Sequence, residues 1–92
     1  MEPKVKEAMS ILQEECAEVI QAVSKINRFG IDNYKPGKPK TNREHLEEEL
    51  GDLLAMIDIL QDMQLVSSKL MKQAKEAKIE KLKKWSSIYE QN

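Results

Sequence analysis

Two short acidic stretches carry residue types and a spacing suited to chemistry: Glu15-Cys16-Ala17-Glu18 and Glu49-Leu50-Gly51-Asp52. Carboxylates three residues apart lie side by side on one face of a helix, so each stretch presents a local pair of oxygen donors. Four acids brought together repel one another and resist desolvation, which favours protonation or a shared cation. Magnesium fits such a donor set, because it prefers oxygen ligands, keeps several waters and is completed by substrate phosphates; manganese is the expected substitute. Two such ions can clamp an attacking water and a phosphate together. The stretches also echo each other, since 14–20 and 48–54 align acid with acid, apolar with apolar and small with small.

Positioning these acids requires helices. From Val5 on, apolar residues recur as Val5, Met9, Leu12, Cys16, Val19, Val23 and Ile26, alternating steps of four and three, which predicts one long amphipathic helix. Pro3 suits its first turn and Gly30 its end. Residues 30–40, with two prolines and two glycines, read as an ordered connector. Thr41 and Glu44 have the spacing of a capping box opening a second helix, whose seam runs Leu46, Leu50, Leu53, Ile57 and Leu60. A break at 65–67 precedes a third helix, expected from Ser67 or Ser68 to about Tyr89. The predicted fold is all-α: one domain over 1–92, an antiparallel bundle of about three helices completed as a four-helix-type unit by oligomerisation.

An antiparallel arrangement aligns the acids. Glu18 lies eleven residues before Phe29 and Asp52 eleven after Thr41, so at about 1.5 Å per residue both sit roughly 16 Å from the connector. Glu15 and Glu49 fall within about a turn of that level, so all four converge between the helices, where Ala17 and Gly51 are expected to permit close approach.

Composition narrows the function classes. Fifteen basic residues nearly balance sixteen acidic ones, against a general nucleic-acid binder. No apolar run approaches the roughly 18 residues needed to cross a bilayer, and the N-terminus lacks a signal-like apolar stretch; no membrane partner and a cytoplasmic location are expected, the host's cytoplasm if phage-encoded. The lone Cys16 reads as a small buried hydrophobe on the stripe. Lys25, two turns beyond Glu18, and Phe29, one turn further, are placed to meet a phosphate or a base. His45 reads as a surface or capping residue, with a substrate contact as the alternative. Within the lysine run of the third helix, Lys78 and Lys81 stand out.

These motifs resemble the MazG-like all-α nucleotide pyrophosphohydrolases, which carry ExxE and ExxD on two helices. The wording EECAEVIQAVSKINRFG followed by ELGDLLAMIDIL is especially similar to small MazG-like proteins of phages and bacteria. The resemblance implies a magnesium-dependent enzyme that cleaves an NTP or dNTP to the monophosphate and pyrophosphate. Glu15, Glu18, Glu49 and Asp52 would be its metal ligands, with Glu15 or Glu18 as the base that activates water. It further implies phosphate contacts from Lys78 and Lys84 in KIEKLKKW, although Lys84 stands where the family often has arginine, and a dimer or tetramer. The rival expectations are a non-catalytic helical oligomerisation module and a nucleotide or metal sensor without turnover.

Overall fold

The computed structural model describes residues 1–34 and 36–91. It contains three helices, α1 (Pro3–Phe29), α2 (Asn42–Asp62) and α3 (Ser68–Trp85). The chain divides into two compact units, Met1–Leu60 and Gln61–Asn92.

In the first unit, Pro3 begins α1, where its missing N–H is not needed. Gly30 ends the helix at φ +93°, a conformation that disfavours other residues, while its N–H donates to Ile26 O at 2.8 Å. The connector is braced at several points. Asn42 N donates to Asn33 O (2.9 Å) and Arg43 N to Ile31 O (2.7 Å). The Arg43 guanidinium grips both Asp32 oxygens at 2.8 and 3.2 Å, and an isolated β-bridge pairs Tyr34 with Thr41. The capping box forms as expected: Glu44 N donates to Thr41 Oγ1 at 3.1 Å and Thr41 N to Glu44 Oε1 at 3.2 Å.

Contacts at two levels fix the direction of α2 against α1. Near the connector, Asn42 Nδ2 donates to Gly30 O at 2.9 Å. Further along, Glu15 on α1 approaches Glu49 and Asp52 on α2. Lower numbers on one helix thus meet higher numbers on the other, and the helices pack antiparallel.

Their buried residues follow a rule. On α1 the buried positions are Ala8 and Ala22, with half-buried Glu15 midway. On α2 they are Asn42, Glu49 and Met56, joined by Leu60. Ala8, Glu15 and Ala22 are spaced by seven residues, as are Asn42, Glu49 and Met56. A seven-residue spacing keeps a row on one side of a helix for two turns. The middle residue of each row is a glutamate, and these two glutamates meet.

This row differs from part of the expected seam. Val5, Leu12, Val19 and Ile26 lie at the contact, half-buried, as do Leu46 and Leu53. Cys16, however, is exposed, and Val23 and Leu50 are each 41% exposed, so the expectation of a buried Cys16 is corrected. The most buried positions of α1 are instead Ala8 and Ala22, small side chains of the kind that permits close approach. Ala17 and Gly51 do not serve that purpose. Both are exposed, and a Cβ added at Gly51 would meet nothing within 4 Å.

In the second unit, Gln64 adopts φ +61° and its N–H donates to Gln61 O at 2.9 Å, closing the turn that follows α2. Ser67 caps α3 by accepting from Leu70 N at 3.2 Å. The helix ends at Trp85, earlier than expected. Ser86 Oγ donates to Leu82 O at 2.7 Å and accepts from Ile88 N at 3.3 Å, a side-chain substitute for continued helix that halts it four residues before Tyr89. No residue of α3 is buried. Among the described residues no helix is long and apolar enough to cross a membrane.

Candidate functional site

Halfway along the α1–α2 contact, carboxylate oxygens of Glu15, Glu49 and Asp52 lie within 4.8 Å of one another. Each arrives for a local reason. Glu15 sits in the Ala8–Ala22 row and Glu49 in the Asn42–Met56 row, so both are carried into the contact itself. Asp52, three residues past Glu49, stands on the same face one turn on and is exposed. Glu49 is 9% exposed, and His45, one turn back and half-buried, places Nε2 at 3.3 Å from Glu49 Oε1.

The electrostatics agree with crowding. Partial burial strips water from the Glu15 carboxylate and pushes its pKa up; the negative charges of Asp52, Glu49, Glu18 and Glu14 push it further the same way. A divalent cation would relieve that repulsion. The donor set is oxygen only, as magnesium prefers. Glu15, Glu49 and Asp52 are the residues that would hold it, their carboxylates drawing closer together around the ion.

Glu18 stands apart from the trio. It is exposed and outside the cluster, although its charge acts on Glu15. The sequence-predicted quartet is therefore a trio with one neighbour.

Two concavities open toward the connector, and none of the four acids lines either. The larger, a cleft of about 840 Å³, is walled by Lys25, Arg28, Phe29, Tyr34, Pro36 and Asn42 among others. Arg28 lies over the Phe29 ring at 4.8 Å from its centroid, leaving Phe29 53% exposed. The smaller, about 390 Å³, is lined by Lys25, Lys38, Lys40, Asn42, His45 and Glu48, with Pro39. Lys25 and Asn42 belong to both.

Lys78, Lys81 and Lys84 occupy α3 in the second unit, all exposed, with Lys84 Nζ 5.0 Å from the Trp85 ring centroid. Sequence reasoning missed Asn42 and Tyr34. Asn42 was hidden by its place just inside the second helix, where a polar residue ordinarily faces water; only its seven-residue spacing from Glu49 could have flagged it.

Comparison with protein families matches residues 4–85 to the MazG nucleotide pyrophosphohydrolase domain. No curated protein and no solved structure matches the chain.

Proposed function

This chain belongs to the MazG nucleotide pyrophosphohydrolase family, and from that premise we propose that it hydrolyses an NTP or dNTP to the nucleoside monophosphate and pyrophosphate. The observation that carries the reading is the meeting of Glu15 on α1 with Glu49 and Asp52 on α2. Three carboxylates crowded at a helix interface repel one another, and a cation joining them relieves that repulsion.

Glu15, Glu49 and Asp52, with Glu18 beside them, are the residues that would hold magnesium, or manganese in its place. When bound, the metal supplies positive charge against the phosphate oxygens and eases loss of a proton from water. The chain's own residues do the rest. Glu15 or Glu18 accepts the proton of the attacking water as its oxygen bonds to the α-phosphorus and the bond from that phosphorus to the bridging oxygen breaks. Pyrophosphate departs with the bridging oxygen. His45 acts as a positioning residue by holding Glu49 from one turn away. Lys25 contacts phosphate and Phe29 offers a ring face to the base. Incubation with a panel of NTPs and dNTPs in magnesium, read by product identity, tests the reading. Monophosphate plus pyrophosphate from any member supports it; no product, or diphosphate plus phosphate, contradicts it.

The protein also self-associates in this reading, as a dimer or tetramer. Ile20 is 69% and Leu54 62% exposed, and both flank the acid pairs. Burying a Leu or Ile is worth about 1.5 to 3 kcal/mol, a large share of a small domain's stability. Twofold pairing would cover them. Light scattering across dilution tests this, and a folded, active species at the 10.6 kDa monomer mass would contradict it.

A further inference from the structure

The smaller concavity of the first unit has a composition that its surroundings do not explain. Three lysines, Lys25, Lys38 and Lys40, face it together with His45, and the one carboxylate in its wall, Glu48, is already paired with Lys40. Among the described residues neither Lys25 nor Lys38 has a carboxylate within salt-bridge reach. Like charges gathered around one hollow repel, so the arrangement is stabilised by an anion. Its neighbour sets the kind of anion: His45 lines the hollow and lies 3.3 Å from Glu49, a member of the acid trio. Basic bay and acidic trio thus share a wall. A ligand that carries a divalent cation at one point and free negative oxygens beside it satisfies both at once, and a magnesium polyphosphate has that form.

The connector is built to hold Lys38 and Lys40 in place. Gly37 takes φ +77°, and Pro36 and Pro39 fix φ on either side of Lys38. The Tyr34–Thr41 bridge closes the base of this turn, and the Arg43–Asp32 pair braces it from α2. A braced turn loses little freedom on binding, so its ammonium groups contribute more of their attraction to affinity.

We infer that the connector forms a phosphate-binding bay in which Lys25, Lys38 and Lys40 take the polyphosphate chain of the nucleotide whose metal-bearing part lies at Glu15, Glu49 and Asp52. The inference rests on the nucleotide reading above and adds to it a phosphate site made by α1, the connector and α2 of one chain. The bay gives Lys40 two roles, since its pairing with Glu48 also orients it into the hollow.

Titration calorimetry with inorganic pyrophosphate in magnesium buffer tests this, alongside KM and kcat on any nucleotide turned over. Lys38→Ala is the main variant, because Lys38 is exposed on the turn and its loss spares the helices; Lys25→Ala accompanies it. Each weakens pyrophosphate binding about tenfold or more and raises KM in step, as loss of one charge-assisted contact does. Lys38→Arg restores most of the affinity, and Lys72→Ala on α3 matches the parent. Pyrophosphate affinity and KM within twofold of the parent in both alanine variants would overturn the bay while leaving the hydrolase intact. A parent that binds pyrophosphate through Lys38 yet hydrolyses no nucleotide would keep the bay and remove the hydrolase.

Discussion

The first unit and the second are made of the same material, amphipathic helix, and yet differ in what they bury. Between α1 and α2, Met56 and Leu60 are 7% and 4% exposed and Ala22 is 1%; along α3 nothing is buried, with Leu70 at 64% and Trp85 at 76%. Ion pairing follows the same division. The first unit joins the connector to α2, Arg43 to Asp32 and Lys40 to Glu48, besides the one-turn approach of His45 to Glu49, whereas the α3 pair, Lys83 with Glu80, is local. The lesson is that the acids are placed by the part of the chain that supplies its own packing. A carboxylate trio needs firm backbone on both sides, and the antiparallel pair provides it.

The sharpest way to break that comparison is to remove one acid. Asp52→Asn keeps shape and exposure but withdraws a charge from the trio, and pyrophosphate release is expected to fall at least about a hundredfold with the helical circular dichroism unchanged. Turnover within a few-fold of the parent would take Asp52 out of the site.

Next in size are the packing differences. Met56→Ala is expected to cost about 2 to 5 kcal/mol in urea denaturation, the range for a truncated buried Met or Leu. Leu70→Ala should stay within about 0.5 kcal/mol, as exposed substitutions do. An equal loss at both positions would show that α3 is covered in solution and would sharpen the comparison into one between a self-packed and a partner-packed helix.

Half of the α1–α2 contact was legible in the sequence. The row Val5, Leu12, Val19, Ile26 and its counterpart Leu46, Leu53, Leu60 consist of large apolar residues, whose period announces a seam. The seam was misread at Cys16, Val23 and Leu50, which are exposed, whereas Met9 and Ile57 are half-buried; the acids' own row, with Ala8 and Ala22 beside Glu15 and Met56 beside Glu49, is the more buried one, and Asn42 in that row was missed. Hydrophobicity favours the larger side chain, whereas the contact favours the row that admits close approach and carries the acids. The acid pairs themselves were visible, because three-residue spacing and equal distance from the connector are arithmetic on a helix. The bay was not, because Lys38 gains its neighbours only when the connector folds back on α2. The end of α3 was overrun because Ser86 acts through a side-chain hydrogen bond that periodicity does not register.

Caps give smaller effects on both sides of the division. Thr41→Ala, at the capping box of α2, is expected to cost about 1 kcal/mol, and Ser67→Ala, at the cap of α3, no more than that. A larger loss at Ser67 would place α3 among the elements that stabilise the whole chain.

The smallest expected effect concerns acid. The guanidinium of Arg43, hydrogen-bonded to Asp32, holds that carboxyl below its ordinary value. The folded state therefore binds this proton less readily than the unfolded one. The pair's contribution is present above the usual aspartate range and is lost as pH falls through the lowered value. Because both groups are exposed, the effect is slight. Melting temperatures of the parent and Asp32→Asn should converge as pH falls from about 5 toward about 2; a gap that widens toward acid would contradict the assignment.

Magnesium-dependent stability tests the trio most directly, since it reads the site without requiring that the right nucleotide be found. A cation bound only by the folded chain stabilises it by about 2.7 kcal/mol at a hundredfold excess over Kd, so the melting temperature should climb with millimolar magnesium in the parent and stay flat in Asp52→Asn. A melting temperature unmoved by magnesium in the parent, with and without nucleotide, or one that rises equally in Asp52→Asn, would contradict the claim that Glu15, Glu49 and Asp52 form a cation site.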